Sequence, residues 1–441
     1  MNTWGHMTAA DLGRAIERGR INPVELTEYF LDAIAAHPLA PRIYARTTEV
    51  RARGEAMGAA GRAKMGLRRG PLDGVPLSWK DLFDTAGTAT EAGSALLKGR
   101  TPTTDAQVLH TATLQGAVCL GKTHMSELAF SGLGLNPVTA TPPCINDDQA
   151  VAGGSSSGAA ASVAHGLAPA AVGSDSGGSV RIPAAWNDLV GLKTTHGRLS
   201  LAGVVPLFTS FDTLGPLART VEDCALIFAL LEGRSTDPTP LPLTGLRLAV
   251  LETVALDDLR DRPARGFDDA LSRLARAGAK ISRITAPEVT EALHLAGTLA
   301  TAEAYGFWSK TIEAAPDKMF PRILERFRSG ASIMAMDYVA GWRTLHDLRA
   351  SFTATTANFD AILLPTSPIL PPNANRLMTN PDYYVSENLA ALRNTRIGNM
   401  MNHCVLTLPT SQPSCGLSLM CPPWQEERLL RIGLAAERAL T

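Results

Sequence analysis

Cysteine, surplus charge of either sign and long apolar runs are all scarce in this sequence, and each shortage closes off a class of function. The six cysteines of a 441-residue chain (Cys119, Cys144, Cys224, Cys404, Cys415 and Cys421) are too thinly spread for a disulfide framework. None forms a C-x-x-C pair, and the nine histidines show no H-E-x-x-H spacing, so reduced, buried thiols are expected and a metal site is not. With 41 Lys+Arg against 42 Asp+Glu, the formal net charge of -1 offers no electrostatic footprint for nucleic acid or an anionic membrane surface. No stretch reaches the roughly 18 apolar residues of a membrane span. The opening MNTWGHMTAADLGRAIERGR lacks a signal core of ~7–15 apolar residues, so the cytoplasm is the expected compartment. What is present is ordinary for a folded protein: 45% hydrophobic and 19% charged residues exclude disorder. A chain of this length buries roughly 75% of the surface it would expose unfolded.

Along the chain, Thr8 followed by Asp11, and then Asn22-Pro23-Val24-Glu25, mark two helix starts within the first 40 residues. Leu26, Phe30, Leu31 and Ile34 recur at helical spacing. From 70 to 250, short apolar runs alternate with helical stretches. Val108–Leu114 reads as helix, Ala117–Leu120 as a buried strand, Ser162–Leu167 as a helix end, and Pro169–Val172 and Leu246–Leu251 as strands. Residues 265–350 read as a mainly helical excursion opening at Phe267, Asp360–Pro365 as a further buried strand and Glu426–Leu440 as a closing helix. The pattern predicts an α/β protein with a mixed central sheet flanked by helices. Length alone admits three domains. Without a repeat or a long linker, one domain over 1–441 is the simpler expectation, with its core at about 70–220.

Residues 152–181 (AGGSSSGAAASVAHGLAPAAVGSDSGGSVR) carry the chemistry. Read alone, GGSSSG is a flexible linker. Its neighbours argue otherwise, because a small-residue helix (Ala159–His165), an apolar strand and a second Gly/Ser turn (Gly173–Ser179) follow at once. Two such turns bracketing a helix and a strand bring serines and bare backbone N–H groups together in a buried place, suited to an anion-stabilising turn. Gly154-Ser155-Ser156-Ser157-Gly158 also fits the G-x-S-x-G elbow with Ser156 as nucleophile. That motif needs a buried strand before it, and Asn146–Gln149 makes a poor one. A phosphate-binding P-loop fails as well, since neither glycine turn leads into Gly-Lys-Ser/Thr.

These residues resemble the amidase signature family, whose members hydrolyse amide-type C–N bonds with a Ser–cis-Ser–Lys triad. The resemblance rests on Gly153–Gly158, Gly173–Ala185, Val190–Lys193 and Gly197-Arg198, and upstream on Pro71–Pro76, Lys80-Asp81, Gly121–Thr123 and Ser126-Glu127. Downstream it takes in Asp212–Asp223 and Asp360–Pro368, so nearly the whole chain is covered. It implies the amidase signature fold, with Ser179 as nucleophile, Ser155 as a bridging serine on a cis peptide bond and Lys80 as base. It further implies an oxyanion hole of the backbone N–H groups of Ser176, Gly177, Gly178 and Ser179, with Asp175 and Arg181 bracing the loop and Ser156 bonding near the triad. The chemistry is consistent with those roles. A serine needs an adjacent base, and only His165 and His196 lie near either turn in sequence. A lysine serves only when desolvation keeps it neutral, which suits the apolar run Val75–Trp79 before Lys80. The family implies no cofactor and no metal.

The chain departs from the family at Trp186-Asn187-Asp188, where an aromatic or Leu and then Cys-Gly are usual, and in the 135–150 loop, which replaces a Gly-Thr-Pro-x-Asn-Pro form. Asp188 is either exposed or held in a polar network. The loop is expected to border the acyl pocket through Ala140, Thr141 and Ile145, with Met400 also at the pocket, which tilts the reading toward uncharged substrates. His124, His196 and His403 read as structural rather than pocket residues, and the Met400-Met401 pair and Met378 as core or cleft. Pro371–Asn388, containing Tyr383-Tyr384, is open between a lid and a surface loop. The expected activity is hydrolysis of a small amide, anilide or carbamate, as in aryl-acylamidases and urethane-splitting members, by a monomer or homodimer without nucleic-acid or membrane partners. Two alternatives stand beside it: a glutamine-hydrolysing component like that of the aminoacyl-tRNA amidotransferases, and a catalytically inactive scaffold.

Overall fold

A computed structural model describes residues 4–236 and 238–441. Among the described residues thirteen strands occur in chain order: β1 Tyr44–Thr47, β2 Pro76–Lys80, β3 Val118–Thr123, β4 Pro143–Cys144, β5 Asp147–Val151, β6 Ala170–Asp175, β7 Val190–Lys193, β8 Thr213–Ala218, β9 Arg247–Leu251, β10 Lys280–Ile284, β11 Ala361–Pro365, β12 Cys404–Pro409 and β13 Gly416–Cys421. All but β4 and β5, which form a separate hairpin, join one mixed sheet of order β1-β3-β2-β6-β8-β7-β12-β13-β11-β9-β10. The α/β class read from the sequence is therefore the architecture.

Helices cover both faces of this sheet, and the sequence shows why. Strands β2, β3, β6, β8 and β13 are buried at every residue. Continuous apolar runs of that kind, rather than alternation, belong to a sheet covered on both sides. The edge strands β1 and β10 are only partly buried. The two N-terminal helices start where the capping residues place them. Asp11 N donates to Thr8 Oγ1 at 3.0 Å ahead of helix Ala9–Glu17, and Val24 N to Asn22 Oδ1 at 2.9 Å ahead of Pro23–Ala36. All six cysteines are free and buried.

The excursion expected over 265–350 comprises the helices Asp261–Arg276, Pro287–Ala314, Pro321–Arg328 and Ala335–Thr356. It is interrupted by β10, whose Lys-Ile-Ser-Arg-Ile sequence pairs in parallel with β9 at the sheet edge. This strand escapes a sequence reading because, at the edge, it keeps Lys280, Ser282 and Arg283 exposed and looks polar. The 371–388 segment is neither lid nor loop. It forms the short helix Ala374–Thr379 and the first turns of Pro381–Met400.

The site takes its position from adjacent strands. β2 runs parallel to β6, so Lys80 and Asp175, at their C-terminal ends, emerge on the same edge of the sheet. The crevice outside the carboxyl ends of parallel strands is where α/β sheets bind ligands.

Candidate active site

Lys80 ends β2 with no exposed surface, and its Nζ donates to Ser155 Oγ at 2.6 Å and to Ser174 Oγ at 2.8 Å. Burial pulls this lysine down to about 7, against the opposing pull of Asp175 and Asp212. Near neutral pH the amine is therefore available without its proton. Ser155 follows a cis Gly154–Ser155 bond. Its carbonyl accepts from Ser126 N at 3.2 Å. A Cβ on Gly154 would sit 2.5 Å from Gly134 N, so only glycine lets the two backbones meet here.

The two Gly/Ser turns are tied directly together. Ser156 N donates to Ser179 O at 3.2 Å, and Ser156 Oγ donates to Ser174 O at the same distance. The second turn, 176–180, is wound around Asp175. This carboxylate accepts from Gly178 N (2.8 Å), Val180 N (3.1 Å), Arg181 Nε and Nη2 (both 2.9 Å) and Asn399 Nδ2 (3.0 Å). Burial opposes its charge, but the Arg181 guanidinium and these donors outweigh it and hold the carboxyl well below the usual range. Arg181 is itself buried and also donates to Thr395 O and Asn399 Oδ1. Breaking one member of a buried pair strands the other charge, so Arg181→Met is expected to lower unfolding stability by about 3–5 kcal/mol, measured by urea denaturation.

Gly178 is corrected as a member of the expected oxyanion hole, because its N–H is committed to Asp175. The N–H groups of Ser176, Gly177 and Ser179 donate to no protein acceptor among the described residues. Gly178 has a structural duty instead. With φ at +137° and an added Cβ only 2.2 Å from Thr395 Oγ1, the position admits no side chain. Gly178→Ala is expected to cost folded yield and thermal stability, whereas Gly177→Ala, whose Cβ would have no neighbour nearer than 3.7 Å, leaves both close to wild type.

Ser176, Gly177 and Ser179 open onto a cavity of about 230 Å³. Its walls are mostly apolar (Phe130, Phe208, Phe211, Leu389, Leu392 and Met400 among them), and the excursion helix Pro287–Ala314 closes one side with Ala296, Gly297, Ala300 and Thr301. Of the four residues expected at the pocket, Met400 lines it, while Ala140, Thr141 and Ile145 do not. Those three sit on a segment occupied elsewhere. Thr141 O accepts from Arg42 Nε, Ile145 N donates to Asn187 Oδ1, and Ile145 is 37% exposed. The tilt toward uncharged substrates loses the residues on which it rested. Asp188 belongs to a polar network, accepting from Asn146 Nδ2 at 2.6 Å and Ser414 N at 2.8 Å. His124 and His403 are held near 4 by burial, and neither they nor His196 line the cavity.

Apart from Met400, sequence reasoning missed the longest wall. Helix Pro381–Met400 supplies Leu389, Leu392, Arg396, Asn399 and Met400, at helical spacings of three and four that carried the signal. Tyr384 braces the cavity from behind by donating to Ser131 Oγ at 3.1 Å. Asp212 was legible only as part of a longer motif. Burial lifts it to about 6, and it accepts from Ser176 Oγ at 2.5 Å and from Leu207 N. No cluster of three or more His, Cys, Asp or Glu among the described residues has metal-binding geometry. No helix among them is long and apolar enough to cross a membrane.

Against known proteins, the amidase family model matches residues 25–430. The chain is 35% identical to 2-amino-5-chloromuconic acid deaminase of Comamonas testosteroni over 98% of its own length and 96% of the relative's. It is 31% identical to a glutamyl-tRNA(Gln) amidotransferase component of Pseudomonas savastanoi pv. phaseolicola, covering 97% and 96%. The structure of native peptide amidase from Stenotrophomonas maltophilia superposes with a TM-score of 0.85 at 26% identity, covering 99% of this chain and 98% of that one.

Proposed function

The chain belongs to the amidase family and is an enzyme that hydrolyses amide C–N bonds, and within that activity we propose that Ser179 attacks the substrate carbonyl with Ser155 and Lys80 as its proton relay. The observation that carries this reading is the desolvated Lys80, 2.6 Å from Ser155 Oγ, behind a turn that presents Ser179 to the cavity. A neutral amine has a lone pair, so this contact serves for accepting the Ser155 proton while an N–H stays on Ser174 Oγ. Ser155 in turn takes the Ser179 proton, and Ser179 Oγ bonds to the carbonyl carbon. The oxyanion rests on the free N–H groups of Ser176, Gly177 and Ser179. The proton returns along the relay to the leaving nitrogen, the C–N bond breaks, and water then hydrolyses the acyl-enzyme.

The cavity size supports a small-molecule amide, anilide or carbamate. Glutamine is the second candidate, supported by the amidotransferase relatives. Its α-ammonium speaks against it, since no Asp or Glu lines the cavity among the described residues. The test is release of arylamine or ammonia from a panel of anilides, aryl carbamates and glutamine. The reading expects turnover of an anilide or carbamate that Ser179→Ala abolishes. Turnover of glutamine alone would support the amidotransferase reading, and turnover that survives Ser179→Ala would overturn the proposed nucleophile.

A further inference from the structure

Two arginines face the same cavity without a carboxylate to answer them. Arg396 lines the cavity and makes no hydrogen bond or ion pair with any described residue. Its stem runs beside the catalytic turn, with Cγ 3.8 Å from the position of a Cβ on Gly177. Arg326, from the helix Pro321–Arg328, lies over the Phe130 ring at 4.3 Å and donates one Nη1 hydrogen to Phe130 O at 2.7 Å, leaving its remaining donors uncommitted. Burial and the neighbouring Arg326 draw Arg396 down to about 9, which leaves it charged at neutral pH. The fully buried Arg181, by contrast, is paired with Asp175. Two like charges facing an apolar cavity with no acid in its lining form an uncompensated site.

We infer that Arg396 and Arg326 bind a carboxylate of the substrate, so that the enzyme acts on amides whose acyl part ends in an acid. A planar carboxylate accepts two parallel N–H bonds from one guanidinium, which fixes orientation as well as charge. The apolar walls would hold the short carbon chain between the carboxylate and the carbonyl that Ser179 attacks. Glutamine carries such a carboxylate too, and what sets it apart is the α-ammonium beside it, for which the cavity lining among the described residues offers no Asp or Glu.

This inference rests on the cavity being the substrate site, and two experiments separate it from the relay. The first is calorimetric binding of glutarate to Ser179→Ala protein, which needs no catalysis. Binding is expected, weakened about 10- to 100-fold by Arg396→Gln and partly rescued by Arg396→Lys. The second compares kcat/KM for succinyl and butyryl p-nitroanilides, which differ by the terminal acid. The succinyl compound is expected to be favoured about 10- to 100-fold, and Arg396→Gln to collapse that ratio. Glutarate binding with no anilide turnover would sustain the carboxylate site and count against the relay. No glutarate binding by folded protein, binding indifferent to Arg396→Gln, or equal rates on the two anilides would overturn the carboxylate site.

Discussion

Ser179→Ala is expected to lower kcat roughly 10⁴- to 10⁶-fold while leaving substrate binding nearly intact. The substitution removes one oxygen from a residue that is only 4% exposed, and it disturbs no hydrogen bond of the turn. The contacts that shape the turn are made by backbone, Asp175 and Arg181, none of which uses the Ser179 side chain. A folded, ligand-binding and inactive protein is therefore the predicted outcome, checked by steady-state kinetics beside a thermal melt. Activity within tenfold of wild type would place the nucleophile elsewhere.

The second large effect belongs to Lys80. Lys80→Met keeps most of the buried volume and removes the base, with an expected loss of about 10²- to 10⁴-fold in kcat. The sign of the pH dependence follows from burial. Because desolvation disfavours the ammonium form and brings Lys80 to about 7, the fraction of neutral base rises through that pH. In wild type, kcat/KM should fall about tenfold per pH unit below 7 and reach a plateau above it. The residual activity of Lys80→Met should lack this acidic limb. Asp212, near 6 and linked to the turn through Ser176, is the neighbouring titrating group, so the limb must be assigned by its disappearance in Lys80→Met rather than by its midpoint.

The legible and illegible parts of this protein divide along physical lines. Helices with side-chain caps and fully buried strands announce themselves, as Thr8, Asn22 and β6 do, because local chemistry decides them. The edge strand β10 does not, since its partner lies on one side only and its exposed residues are polar. The two Gly/Ser turns point to one another because serine and bare backbone are costly to bury without a purpose. The pocket was harder. The 135–150 segment lies just before the first Gly/Ser turn in sequence, yet Thr141 and Ile145 make their contacts at Arg42 and Asn187. Much of the cavity wall comes instead from residues 296–301 and 389–400, more than a hundred positions away. Gly178 shows the same limit at finer scale. Its place in the GGS turn suggests a free N–H, and only the fold of Asp175 back onto the turn shows that the group is taken.

The most direct test of the relay is covalent. A sulfonyl fluoride should modify wild-type protein once, at Ser179 by peptide mapping, at a rate that climbs through about pH 7, and Lys80→Met should abolish both the pH dependence and most of the rate. A label on Ser155 or Ser156, or a rate at Ser179 indifferent to pH and to Lys80, would contradict the relay.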